Sequence, residues 1–204
     1  MFEYVTPEIV ERSLKAMAKL DIILIPKKTA FLRTVVYIND SDSRRAVVDN
    51  GSGDNLLALF TESGAMLKGF DHESELNQFA ADEWDNGFFQ RVYAGAPKAL
   101  SSLLSEDDID NTTFCMWCCN GSSVWEQNEV SADDDDGGRD FLLGYVHQTA
   151  ESWCDWAKYY YEQEYDISIV EKIYSGSDIT AEDMLKLNPK CNTDEAVNEI
   201  ADII

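Results

Sequence analysis

Five cysteines, two histidines and several runs of acid are the residues of this chain whose types and spacing could do chemistry. Cys115 and Cys118 form a C-x-x-C pair with Cys119 beside it, a spacing used by zinc knuckles and by thioredoxin-like redox sites. A knuckle needs the pair in a turn together with a second pair of ligands, and a redox motif opens a helix after a strand. Here the pair lies in an apolar run that reads as a strand, where residues three apart face opposite sides of a sheet. Cys154, Cys191, His72 and His147 stand far from it in sequence. The thiols therefore read as buried small hydrophobes, and no metal or cofactor is expected.

Lys68-Gly-Phe-Asp71-His72-Glu73-Ser74 is the densest polar cluster, placed where a strand should end. A Ser/His/Asp arrangement needs partners brought together by the fold, since adjacent residues cannot all converge on one substrate. Two readings follow. Either an acid or serine here caps the next element while His72 holds the turn, or Lys68, Asp71, His72, Glu73 and Ser74 belong to a pocket. No catalytic residue is assigned. Asp133–Asp136 invites a calcium reading, but counting from Asp133 puts Gly138 sixth, Gly137 fifth and Gly144 twelfth. Two of the oxygen ligands of an EF-hand loop are then missing, so the run reads as a solvated turn. The aromatic stripe Trp153, Trp156, Tyr159, Tyr160, Tyr161 and Tyr165 reads as core packing, and Gly51-Ser-Gly53 as a hairpin turn without the lysine of a phosphate loop.

Charge speaks of partners. The chain holds 39 acidic and 16 basic residues, a formal net charge of −23. The first 45 residues carry +2 and the remaining 159 carry −25. Such a balance points to a basic protein partner and away from nucleic acid or an anionic membrane. The acids that would meet it are Glu106, Asp107, Asp108 and Asp110, then Asp133, Asp134, Asp135 and Asp136, with Asp82, Glu83 and Asp85 as outliers.

The elements that must position these groups are legible in part. At 45% hydrophobic residues with five tryptophans, the chain is no disordered acidic polymer. It shows no secretory leader and no run of about 18 apolar residues that could span a bilayer. Its odd cysteine count argues against a disulfide framework, so the expected setting is a reducing cytoplasm. Thr6-Pro7-Glu8 predicts a helix start, with apolar residues recurring at helical spacing up to about Leu20. Strands are expected over 30–38, 45–49, 55–61 and 65–70, separated by turn residues in the manner of an antiparallel meander. Residues 72–104 suggest short helices, 105–111 an acidic loop, and 112–119 with 123–127 a second hairpin around Asn120-Gly121. The last third is helical: 149–165, then 167–174, then a helix begun by Thr180 and Asp183 as a capping box, then one capped by Thr193 or Asp194. Residues 141–146 fit either a helix or a strand. The expected fold is α+β: an antiparallel sheet of about five or six strands, with an N-terminal helix and C-terminal helices packed on it. It is read as a single domain over 1–204, with a possible division into a sheet-rich part (1–130) and a helical part (139–204).

Several phrases occur together in order: Leu67-Lys-Gly-Phe-Asp-His-Glu-Ser74, Leu143-Gly-Tyr145, Trp156-Ala, Tyr159-Tyr160, Ile179-Thr-Ala-Glu and Leu187-Asn-Pro189. From about residue 30 onward the chain thereby resembles a group of uncharacterised bacterial proteins, some of which look like immunity proteins of polymorphic toxin systems. The resemblance implies a bacterial cytosolic protein and brings no catalytic residues. The expected function is a non-catalytic acidic binding module, in its narrower form an immunity protein masking a basic toxin or nucleic-acid-binding protein. The alternative is a small-molecule-binding protein or enzyme with its pocket at Asp71-His72-Glu73. The sequence leaves the oligomeric state open.

Overall fold

The computed structural model describes residues 5–41, 43–128 and 135–203. Helix α1 (Pro7–Leu24) continues past Leu20 because Ile22 and Ile23 prolong the buried stripe of Val10, Leu14, Met17 and Leu20. Pro26 then ends it, since proline pushes the residue before it out of helical geometry. A 3-10 turn (Lys27–Leu32) precedes strand β1 (Val35–Asn39), so the strand expected over 30–38 starts later. The other strands are β2 (Arg44–Asp49), β3 (Asn55–Thr61), β4 (Gly64–Phe70), β5 (Phe114–Cys119) and the two-residue β6 (Glu126–Gln127). They form one antiparallel sheet in the order β1-β2-β3-β4-β5-β6, which bears out the expected α+β class. Among the described residues, no helix is long and apolar enough to cross a membrane.

Contacts divide the chain into two compact units. A sheet unit comprises residues 1–7 and 40–145, and a helical unit comprises residues 8–39 and 146–204. In the sheet unit, β3, β4 and β5 are buried along almost their whole length, as their near-continuous apolar runs require of strands covered on both faces. One face packs Leu57, Leu59, Met66, Cys115 and Trp117 against Phe88 and Val92 of α2 (Phe88–Val92) and Leu100 of α3 (Lys98–Ser101). On the other face Gly69 leaves room for its neighbours. A Cβ there would fall 2.1 Å from the Phe114 ring and 2.8 Å from Leu142 of α5 (Arg139–Leu143). That helix settles the segment the sequence left open between helix and strand.

Two expectations in this unit are corrected. Residues 105–111 are not a loop but hold helix α4 (Glu106–Asp110), capped by Ser105. Its hydroxyl accepts from the Asp108 amide at 3.1 Å, while the Asp108 carboxylate accepts from the Ser105 amide at 3.0 Å. Three acids in the first turn suit the positive end of the helix dipole. Residues 72–87, expected to be partly helical, form a chain of turns with an edge-on ladder of Phe70, Phe79 and Trp84.

In the helical unit, α6 (Ala150–Tyr160), α7 (Ile167–Tyr174), α8 (Ala181–Leu187) and α9 (Thr193–Ala201) follow α1 and β1. Thr180 and Asp183 make the expected capping box, whereas α9 is capped one residue early, by Asn192. Polar groups tie these elements together. Asp21 of α1, 1% exposed, accepts from the Val35 amide at 2.7 Å, the Thr34 hydroxyl at 3.0 Å and the Tyr161 hydroxyl at 2.9 Å. Arg33 reaches Glu199 of α9 at 2.8 Å and also donates to the Ile25 carbonyl at 2.9 Å.

Candidate functional site

The antiparallel meander brings the β2–β3 turn, the end of β4 and the start of β5 to one end of the sheet unit. The β3–β4 register pairs Asn55 with Phe70, so Asp54 and Asp71 lie just beyond the last rung. The turn that delivers Asp54 is built by Asn50, whose side-chain oxygen accepts from the Ser52 amide at 2.8 Å, with Gly51 and Gly53 at positive φ. Asp54 is buried. One of its oxygens accepts from the His72 amide at 2.9 Å and lies 2.6 Å from His72 Nδ1, and the other accepts from Asn50 Nδ2 at 2.7 Å. Burial opposes ionisation of Asp54, but hydrogen bonds from His72 and Asn50 outweigh it and hold the carboxyl below its ordinary range. The bond to Asp54, with the charges of Asp54, Glu73 and Asp71, holds the His72 imidazole above its usual value.

The His72 side chain is 44% exposed, and its Nε2 lies 3.9 Å from Glu73. One oxygen each of Asp54 and Asp71 and one His72 nitrogen lie within 4.8 Å of one another, a spacing one divalent cation could bridge. Among the described residues no cysteine joins such a group. Cys115 and Cys118 are buried as expected and, among the described residues, join no disulfide, and burial pushes the Cys115 thiol upward.

The Asp-Gly-Gly loop closes onto this end. Asp135 accepts from the Ser74 hydroxyl at 3.0 Å and the Glu75 amide at 2.9 Å, and folds its own loop by accepting from the Gly137 amide at 2.8 Å. Asp136 accepts from the Gly138 amide at 3.0 Å. Gly138 has φ +75°, and a Cβ there would fall 2.3 Å from an Asp71 carboxylate oxygen, so only glycine allows the approach. Thr113 fastens the two segments, accepting from the Asp71 amide at 3.0 Å and donating to the Gly137 carbonyl at 2.6 Å.

The residues singled out from sequence therefore divide. Asp71, His72, Glu73 and Ser74 share one end of the sheet unit with Asp135 and Asp136, while Asp133 and Asp134 lie outside the described residues. Glu106, Asp107 and Asp110 are exposed on α4, just before β5. Asp108 is tied to Arg45 at 2.7 Å, which helps keep its carboxyl low against the larger opposing effect of burial. Lys68 leaves the group. It is 2% exposed, opposite Cys115 on β5, and its ammonium donates to the Asn111 carbonyl at the end of α4. Burial pushes it down to about 8. It serves as a helix C-cap, not as part of a surface site. Asp54 is the residue that sequence reasoning missed, although equal lengths of β3 and β4 put it opposite Asp71.

Fold and site together define a class: an acidic α+β protein whose meander gathers turn carboxylates at one end around an Asp–His pair. No protein-family model, curated protein or solved structure matches this chain.

Proposed function

We propose that the chain is a non-catalytic binding module that presents the acidic end of its sheet unit to a basic protein. One observation carries this reading. The sheet unit holds 23 acidic residues against 6 basic ones, and its bases are largely consumed inside it. Arg45, Arg91 and Arg139 are in ion pairs, and Lys68 is buried. The exposed carboxylates Asp49, Glu73, Glu106, Asp107 and Asp110 therefore keep their field, which steers a cationic partner to fast encounter. The narrower form of the proposal is an immunity protein that masks a basic toxin surface.

The test is capture from a lysate of the native host on the immobilised chain at low salt. The expected result is a basic protein eluted as salt rises, because screening weakens exposed charge pairs. It should be lost from the Glu106→Lys/Asp107→Lys/Asp110→Lys variant. Capture of nothing basic, or capture indifferent to salt, overturns the reading.

The Asp54–His72 bond favours one second reading, a small-molecule site with acid–base capacity. Asp54 fixes one ring nitrogen and leaves Nε2 outward, the geometry of an oriented general base. A ligand screen read by His72 ring shifts tests it, and a ring indifferent to every ligand removes it.

A further inference from the structure

The chain's scarce bases are not scattered at random. Arg12, Lys15 and Lys19 recur at spacings of three and four along α1, which places them on one helix face. In the helical unit this face borders two cavities. One, of about 240 Å³, is lined by Ile173, Ile179, Met184, Val197 and Ile200, with Lys19 and Asp178 as its charged groups. The other, of about 310 Å³, shares Lys19, Ile173 and Gly176 with the first and continues past Lys15 and Arg12 to Glu8 and Glu11. Shared lining makes them adjoining, and their combined size is that of small-ligand sites, about 300–1,000 Å³.

We infer that this groove binds an amphipathic carboxylate of the medium-chain fatty acid type. The apolar slot takes the tail, and Val197, 50% exposed on its wall, is apolar surface that such a tail would cover. The head belongs at Lys19, where the cavities meet. Burial and then the Lys15 charge weaken protonation of Lys19, and Asp178 opposes this only in part. Lys19 has no ion pair among the described residues, so an anion beside it relieves both effects. Of the acids near the groove, Glu11 is already engaged by Lys15 at 3.3 Å and by the Tyr37 hydroxyl at 2.7 Å. Asp178 shares the slot with Lys19, which favours a single negative charge over a phosphate dianion. A cation of the same length would place its head against Lys19, which has no ion pair among the described residues to offset it.

The test compares decanoate, decanol and decyltrimethylammonium, which share a tail and differ in the charge of the head. Calorimetry should show saturable binding of decanoate, with methyl NMR shifts at Ile173, Met184 and Ile200. Lys19→Gln should lower decanoate affinity about tenfold or more, as loss of a charge-assisted contact does, and leave decanol nearly unchanged. Lys19→Arg should retain binding, and Val197→Asp should abolish it. Circular dichroism and unfolding midpoints identify any variant that has lost the fold. Equal or tighter binding of decyltrimethylammonium, shifts confined to other methyls, no saturable decanoate binding, or a folded Lys19→Gln variant with unchanged affinity would each overturn the inference.

Discussion

In the helical unit, ionisable groups are spent on holding elements together, with Asp21 joining α1, β1 and the end of α6, and Arg33 joining the segment just after α1 to α9. In the sheet unit the core is almost entirely apolar, and the polar work is done at strand ends by turn residues such as Asp54, Asp71 and Asp135. The balance differs too: 23 acids to 6 bases in the sheet unit, 16 to 10 in the helical unit. The contrast separates acids that build from acids that only face water. A net charge of −23 conceals both kinds, and only the second can greet a partner.

The contrast can be broken first at Asp21. Asp21→Ala strands the Val35 amide and two hydroxyls in the interior, and should cost about 3–5 kcal/mol in urea unfolding. A loss under about 1 kcal/mol would show that the buried Asp21 carboxyl is not what holds the helical unit. Next comes His147, also buried, whose Nδ1 faces Ser152 Oγ at 3.2 Å, whose ring tilts over Trp156 at 5.0 Å, and whose Nε2 has no hydrogen-bond partner among the described residues. Burial pushes it down to about 4 from 6.5. The unfolded chain then takes up the proton first as pH falls, so stability present above about 6.5 drains away down to about 4, by about 3 kcal/mol in all. His147→Phe should flatten that part of the pH profile, and an unchanged profile would place the titration elsewhere.

Smaller effects sharpen the sheet-unit side. Ser105→Ala should cost about 1 kcal/mol, the usual value of an N-cap, again read by urea unfolding. Asp54→Asn should barely alter the fold but should bring the His72 titration, followed by ring NMR, down toward its ordinary midpoint. Were Asp54→Asn to cost more stability than Asp21→Ala, the two units would have exchanged roles.

Much of this was legible in the residues. The meander from β2 to β4, the opposed faces of Cys115 and Cys118, and the Thr180–Asp183 box all follow from local periodicity and capping. What escaped was non-local or masked by composition. Asp21 interrupts an apolar stripe, and nothing near it in sequence announces Thr34 or Tyr161 as donors. The run Ser105-Glu-Asp-Asp108 satisfies the capping-box pattern as well as Thr180–Asp183 does, but its charge density suggested a loop. Lys68 looked like a companion of His72 because the two are neighbours in sequence. Strand alternation instead turns its stem into the helix-covered face. Asp54 needed the hairpin register, which links positions 18 apart.

Asn188 donates from its side-chain amide to the Ile23 carbonyl at 2.9 Å and the Leu24 carbonyl at 3.3 Å, closing the end of α1 with a residue 165 positions later. During synthesis, at about 5–20 residues per second, α1 must therefore wait on the order of ten seconds for the residue that finishes it. Residues 40–145 of the sheet unit are translated within that interval. Until then the carbonyls of Ile23 and Leu24 lack the donor that closes them, which makes the last turn of α1 the natural place for a chaperone to hold this chain.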